Sequence, residues 1–278
     1  MVSRMSGAII RAFLVILLVI APTFVLPQSN SDTGQMVALA AIFAGLLTFV
    51  EYQATYPSLV EFRDAAPFNR LRFGMLSTTV FLVTVSEMSL LQSSAFFDLI
   101  NVIGTLIGSS MDFPYSPVRL AVLTLAEGGP EGQHDRLRAA MGLAYFASLV
   151  WLAVFVFTLR FGGWPQRGRP FNVWVNLPMF DPSTATDVVA RLDRDGRINV
   201  ALGFLLPFVK PLIITMGFQG LNPSTLISPH SVVWTITAWS FLPASLFLRG
   251  LALMRIADML RDMRRARTQG EESRMATA

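Results

Sequence analysis

Two ionisable side chains, Glu87 and Lys210, lie deep inside long apolar segments of the sequence. A charge alone in hydrocarbon is costly, so each is expected to face protein and to have a partner. Glu87 lies 15 residues after Arg72, and Lys210 lies 13 residues after Arg197. At about 1.5 Å per residue, these intervals place both charges roughly 20 to 22 Å from the same membrane surface. They are therefore predicted to be level, and able to pair.

Polar residues accompany both charges. Ser77 and Thr84 share a helical face with Glu87, and Asn199 lies near the face that carries Lys210. Hydroxyl and amide groups inside a membrane segment are expected to point toward other helices rather than toward lipid. We therefore take these five residues as the candidate intramembrane polar site.

Two prolines, Pro207 and Pro211, bracket Lys210. Each removes a backbone N–H donor, which predicts a kink whose freed carbonyls need new partners. A functional interpretation predicts a mid-membrane site for a substrate, an ion or a proton. A structural interpretation predicts a salt bridge that fixes packing, or Lys210 bound to the kink carbonyls while Glu87 reaches the outer headgroups.

The composition argues against most other chemistry. The chain has no cysteine and two histidines, His134 and His230, which leaves no thiolate ligand and too few imidazoles for a haem site. No nucleophile–base set, phosphate loop or metalloprotease motif is present. The sequence predicts a protein that is not an enzyme and has no cofactor and no metal. Its pI is near 10.1, but its arginines are dispersed between apolar runs, so no nucleic-acid partner is expected.

These residues must be positioned by helices in a membrane. The chain is 53% apolar and 14% charged, outside the usual range of soluble proteins. A spanning helix needs ~20 mostly apolar residues. The sequence therefore predicts an all-α, polytopic transmembrane bundle of about six spans, with a membrane domain over 1–253 and spans near 12–26, 35–49, 73–91, 139–159, 198–216 and 232–253.

The arginines predict an orientation. With the N-terminus inside, 18 arginines fall in cytoplasmic segments, and only Arg119, Arg136 and Arg138 fall outside. An odd number of spans would destroy this bias, so both termini are predicted to be cytoplasmic. Lys210 is the only lysine among 22 basic residues, which favours a GC-rich bacterial source. The predicted location is therefore a bacterial inner membrane, with the lipid bilayer as the first partner.

The outer segment, 93–135, is predicted to be helical but not to span. Within 95–110 the apolar residues share one face, opposite Asp98 and Asn101, as in a helix that lies in the interface. Pro114 and Pro117 then break the chain, and 118–126 is apolar but too short to cross. A re-entrant hairpin or two further spans stay open as alternatives.

Two charged segments lie on the predicted cytoplasmic side: the loop 161–197 and the helical tail 254–278. In the tail, Arg255, Asp258 and Arg261 are three residues apart and can pair along one helix. The tail is expected either to bind a partner or to lie on anionic lipid.

A stretch of the cytoplasmic loop resembles a known family. Ala190-Arg-Leu-Asp-Arg-Asp-Gly196, followed by Leu206-Pro207, resembles the coupling loop of ABC importer permeases over some twenty residues. It departs at Asp187-Val-Val, where Glu-Ala-Ala is expected, and Gly196 lies about two residues too close to Pro207. The resemblance implies contact with an ATPase subunit through Ala190, Arg191, Asp193 and Gly196. The alternative is an amphipathic helix with a glycine stop.

Two functions are expected from these features. The first is a non-catalytic subunit, scaffold or assembly partner of a larger membrane complex, bound to another membrane protein or to further copies of itself. The second is a small-solute or ion transporter or permease that uses Glu87 and Lys210. A water-accessible cavity that reaches Lys210 would favour transport, and a dry bundle with Glu87 bonded to Lys210 would favour the scaffold.

Overall fold

The computed structural model describes residues 2–27, 31–126, 132–164, 172–178, 187–217 and 228–276, and over these residues the fold is all-helical. This confirms the all-α part of the predicted fold class. The helices are α1 Val2–Val25, α2 Ser31–Gln53, α3 Phe68–Met88, α4 Ala95–Met111, α5 Pro117–Leu125, α6 Gln133–Phe161, α7 Val173–Asn176, α8 Val188–Gly217 and α9 Pro229–Ala276.

Four of these helices contain segments long and apolar enough to cross a bilayer: Met5–Val25, Gly34–Gln53, Gln133–Phe161 and Pro229–Gly270. They correspond to the first, second, fourth and sixth predicted spans. α3 is not among them; it carries two arginines and a glutamate within 21 residues. The four are counted over the described residues alone, and these leave out the side chains of α8 from Lys210 onward. The count of six spans therefore stays a prediction.

Two buried clusters define the ends of the bundle. The Trp239 cluster gathers Val83 of α3, Met141 of α6 and Trp239 of α9. The Phe62 cluster gathers further residues of the same three helices around Phe62 and Trp164. Because α3, α6 and α9 contribute to both clusters, each runs the length of the bundle. α3 runs from the Phe62 end to the Trp239 end, and α6 and α9 run in the opposite direction.

α8 and α9 pack backbone against backbone. A Cβ added at Gly250 of α9 would lie 2.6 Å from the carbonyl oxygen of Gly196 and 2.8 Å from the backbone nitrogen of Val200 in α8. A Cβ added at Gly203 would lie 2.7 Å from the carbonyl oxygen of Pro243. Small residues allow such close approach in membrane helices. Gly196 lies inside α8 at this contact, so it does not end the helix. Its predicted contact with a partner protein stays a prediction.

α4 packs on α6 in the same way. A Cβ added at Gly142 would lie 2.4 Å from the Cα of Gly108, and one added at Gly104 would lie 2.8 Å from a side-chain carbon of Leu143. Gly104 and Gly108 form a GxxxG pattern, a sequence signal for close helix packing that the analysis of amphipathicity missed. Leu99, Val102 and Leu106 remain exposed on the other side of α4.

The two outer helices begin at serine caps. The hydroxyl oxygen of Ser94 accepts from the Phe97 backbone N–H at the start of α4, and that of Ser116 accepts from Arg119 at the start of α5. Such caps satisfy orphan N–H groups of the first turn. Val118 and Val122 of α5 are fully buried in the Trp239 cluster. The outer segment is therefore partly built into the bundle, while its position relative to the bilayer stays a prediction.

Candidate functional site

The partner of Glu87 is Arg136, in the first turn of α6. The Arg136 guanidinium donates to both carboxylate oxygens of Glu87, from Nε to Oε1 at 3.1 Å and from its terminal amino group to Oε2. The Glu87 side chain is 1% exposed and that of Arg136 is 21% exposed. A bidentate arginine–carboxylate pair of this kind combines charge with fixed geometry. The arrangement suits a structural lock between α3 and α6.

Lys210 was the predicted partner of Glu87, and Arg136 was not considered as an alternative partner. Arg136 was used only as evidence for the orientation of the chain in the membrane. Yet a carboxylate about 22 Å from one surface of a ~30 Å hydrocarbon core lies roughly 8 Å from the other, within reach of an arginine there. The side chains of Lys210 and Pro211 lie outside the described residues.

The three other described residues of the predicted polar site do not bond to Glu87. The hydroxyls of Ser77 and Thr84 are buried and have no hydrogen-bond partner within the described ranges. Asn199 is buried, and its Nδ2 donates to the backbone carbonyl of Asp195 at 2.7 Å. It thus bonds within its own helix, one turn back. The structure does not bring Asn199 to the Glu87 pair.

The proline-bracketed part of α8 finds a partner in α9. Since Pro211 has no N–H, the carbonyl of Pro207 loses its helical donor. The indole Nε1 of Trp239 donates to that carbonyl at 3.1 Å. The expected partner of the carbonyls freed by the prolines was the ammonium group of Lys210. Trp239 fills the role because its ring lies fully buried at the contact between the two helices.

The charged residues among the predicted partner contacts bind other residues of this chain. Asp193 pairs with Arg197 at 2.7 Å and with Arg261 of α9 at 3.3 Å. Arg191 lies 3.9 Å from Asp195, and Arg261 also bonds to Asp258. Arg255 donates to the Trp164 carbonyl at 3.2 Å. These contacts join the start of α8 to the second half of α9.

The same contacts bear on the coupling-loop resemblance. Ala190 and Gly196 lie inside one continuous helix, Val188–Gly217, rather than in a separate loop before a span. Asp187, just before it, accepts from Arg264 at 3.0 Å. This hydrogen bond holds the pKa of Asp187 below its ordinary value. A lowered carboxyl pKa means that the contact is intact at neutral pH and is lost as the pH falls through that pKa.

A second polar arrangement, missed by the sequence argument, holds the loop 54–67. The carboxylate of Glu51 accepts from the backbone N–H groups of Ser58, Leu59 and Val60 at 2.9 to 3.2 Å. Arg63, only 4% exposed, donates to the carbonyls of Glu51 and of two further loop residues. The signal was present in the sequence, as a glutamate at the end of α2 beside an arginine-bearing loop.

This loop is also tied to the rest of the bundle. The guanidinium of Arg249 in α9 binds Glu61 through two hydrogen bonds of 2.6 and 2.7 Å. The backbone N–H of Phe62 donates to the carbonyl of Asn176 at 2.6 Å, and the indole of Trp164 donates to the Ala65 carbonyl at 3.1 Å. The loop is therefore an ordered part of the Phe62 end.

The loop closes one side of a cavity of about 530 Å³ between α1, α2, α3 and α9. Arg11 lines it, with its guanidinium 4.6 Å from the ring centroid of Tyr52. Arg72 lines it from α3, 5.8 Å from the ring centroid of Phe241. Among the described residues, those that line this cavity do not include Glu87. The cavity is thus separate from the Glu87–Arg136 pair.

Among the described residues, no group of three or more histidine, aspartate or glutamate side chains is placed to hold a metal ion.

No protein-family model, curated protein or solved structure matches this chain. Its function is therefore argued from its own residues.

Proposed function

We propose that this protein is a non-catalytic component of a membrane complex, a scaffold or assembly partner that binds another protein through an arm outside the bilayer. The arm consists of Asp187 and residues 188–197 of α8, together with residues 255–276 of α9. The observation that carries the proposal is the length of α9. Its 48 residues span about 72 Å, more than twice the ~30 Å hydrocarbon thickness of a bilayer.

The surface of the arm supports this role. From Asp262 to Gly270 every residue of α9 is exposed. Met263 is the one large apolar side chain in this stretch, so the helix has no continuous apolar face there to bury in lipid. A groove of about 560 Å³ lies between the two helices of the arm. Its charged lining residues are Asp187, Asp193, Arg194, Arg197, Arg261 and Arg264. Four arginines against two aspartates favour a partner segment that is acidic.

The state of Glu87 supports the scaffold over transport. Its carboxylate is bound by both ends of the Arg136 guanidinium, as expected for a group that fixes packing. A transport site would need Glu87 to be available to a substrate or a proton. The permease hypothesis with an ATPase partner gains no support from the continuous α8.

The partner arm predicts a specific effect of charge reversal. Arg194, 69% exposed in the groove, is replaced by glutamate, and the tagged protein is purified from its native membrane in mild detergent. We expect a partner present in stoichiometric amount to fall about tenfold, because like charges across an interface oppose binding. Mass spectrometry quantifies the partner. Arg160→Glu, at an exposed position near the end of α6, is the matched control and should keep it.

Recovery of the wild-type chain alone, or as a homo-oligomer, would contradict this proposal. An equal loss of partner in both variants would also contradict it, since the effect would then follow net charge rather than the groove.

We further propose the bacterial inner membrane as the location, with both termini cytoplasmic. The natural chain has no cysteine, so single cysteines report accessibility without background. Gln92→Cys is expected to react with a membrane-impermeant maleimide in spheroplasts. Thr55→Cys and Met275→Cys are expected to react only after permeabilisation. An even number of predicted spans precedes each of the two positions, so both are expected on the cytoplasmic side. Labelling of Met275→Cys in sealed spheroplasts would reverse the assigned orientation of the C-terminus.

A further inference from the structure

The cavity at the Phe62 end contains an arginine, Arg72, that has no hydrogen-bonded counter-ion among the described residues. The guanidinium of Arg72 has no hydrogen bond or ion pair with any residue that the structure describes, and its described contact is with the ring of Phe241. Arginine offers five N–H donors in a planar fork. A charge withdrawn from water in this way is costly unless something accepts from it. The space beside Arg72 is the cavity, so the acceptor is expected there.

The other charged groups around the cavity are already engaged. Among the described residues that line it, Glu61 is the only carboxylate; it lies close enough to act electrostatically on Arg72, but its two oxygens are hydrogen-bonded to Arg249. Arg63 is held by loop carbonyls. Arg11 donates to the Gly7 carbonyl at 2.7 Å through one terminal nitrogen. With four arginines and one glutamate in its lining, the cavity carries an excess of positive charge.

The remaining wall of the cavity is apolar. Leu14 and Val15 line it one turn beyond Arg11 on α1, and Phe73 and Leu76 line it from α3. The polar groups thus gather at the Phe62 end, and the apolar groups follow the helices toward the middle of the bundle. A volume of about 530 Å³ falls within the range of ligand pockets in proteins.

We propose that this cavity binds an anionic, phosphate-bearing amphiphile, with the phosphate held by Arg72 and Arg11 and the apolar chain against Leu14, Phe73 and Leu76. Arginine forks match phosphate oxygens bidentately, and basic pockets between membrane helices are suited to anionic lipid headgroups. The site is separate from the arm and does not depend on the proposed scaffold function. It gives the protein a dependence on the lipid that surrounds it.

The test uses the full-length protein, delipidated in a non-ionic detergent and titrated with phosphatidylglycerol or phosphatidylcholine by native mass spectrometry. We expect one phosphatidylglycerol per chain, bound about tenfold more tightly than phosphatidylcholine. Arg72→Gln should lose about tenfold in affinity for phosphatidylglycerol, the loss typical of a charged hydrogen bond. Arg160→Gln, an exposed arginine near the end of α6, should bind as the wild type does.

Three outcomes would overturn the proposal. Arg72→Gln could bind phosphatidylglycerol as tightly as the wild type, or Arg160→Gln could lose as much affinity, which would assign the effect to general surface charge. Inorganic phosphate, measured by its thermal stabilisation of the protein, could compete fully with the lipid, which would make soluble phosphate the ligand. If size-exclusion chromatography shows that Arg72→Gln does not fold, Arg11→Gln is measured in its place, with the same expected loss.

Discussion

Replacing Arg136 with leucine is expected to lower the free energy of unfolding by about 3 to 5 kcal/mol, the range for breaking a buried ion pair. The reason is the 1% exposure of Glu87, whose charge would be left without its arginine. The double variant Glu87→Leu/Arg136→Leu should lose far less, since a buried pair replaced by apolar residues is often neutral or stabilising. Unfolding in increasing SDS, followed by tryptophan fluorescence, measures both.

The control for this experiment is Arg119→Leu. Arg119 lies in α5 with a side chain 45% exposed, and its nearest carboxylate oxygen, on Asp112, is 3.9 Å away. Such an exposed pair contributes little, so its loss should change stability by less than about 1 kcal/mol. If the double variant were as unstable as Arg136→Leu, the loss of stability would not come from leaving the Glu87 charge buried without a partner. The expectation would then be wrong.

Gly250→Ala is expected to destabilise the protein, although alanine favours helices over glycine by about 1 kcal/mol. The new methyl group would lie 2.6 Å from the Gly196 carbonyl oxygen and 2.8 Å from the Val200 nitrogen. These are backbone atoms, so the two helices must move apart, at a typical cost of about 1 to 3 kcal/mol for overpacking. Thermal unfolding in detergent gives the change.

Gly270→Ala provides the same chemical change in the same helix. Nothing lies within 4 Å of the position of its added Cβ, so only the helix propensity acts and the variant should be as stable as the wild type or slightly more so. The two alanine variants are thus expected to shift the melting temperature in opposite directions. Equal shifts would mean that α8 and α9 are not in backbone contact at Gly250.

Helix positions were predictable where apolar length determines them. The outer helix was predicted over 95–110 and is observed as Ala95–Met111. The span predicted over 139–159 lies within Gln133–Phe161, which extends into a polar first turn that hydropathy alone does not include. That turn carries Arg136. Because the predicted span began after this turn, Arg136 was not predicted as the partner of Glu87.

The partners of charged residues were less predictable. Depth from one membrane surface gave the level of Glu87 but not the direction in which it points, which depends on how α3 rotates against α6. The cavity was missed for a related reason. The cavity exists because Glu51 and Arg63 hold the loop 54–67 in place through hydrogen bonds to backbone atoms. Such bonds produce no hydrophobic periodicity that could be seen in the sequence.

Three carboxylates are buried in the part of the chain that the structure describes, and they acquire their partners at different times during synthesis. Glu51 is satisfied by backbone groups seven to nine residues further along, so its loop is complete almost as soon as it is made. Glu87 must wait 49 residues for Arg136, roughly 2 to 10 s at 5–20 residues per second. Glu61 must wait 188 residues for Arg249, roughly 10 to 40 s. The loop 54–67 is thus made long before the helix that supplies its ion pair, and Glu61 has no bond to Arg249 until α9 is complete.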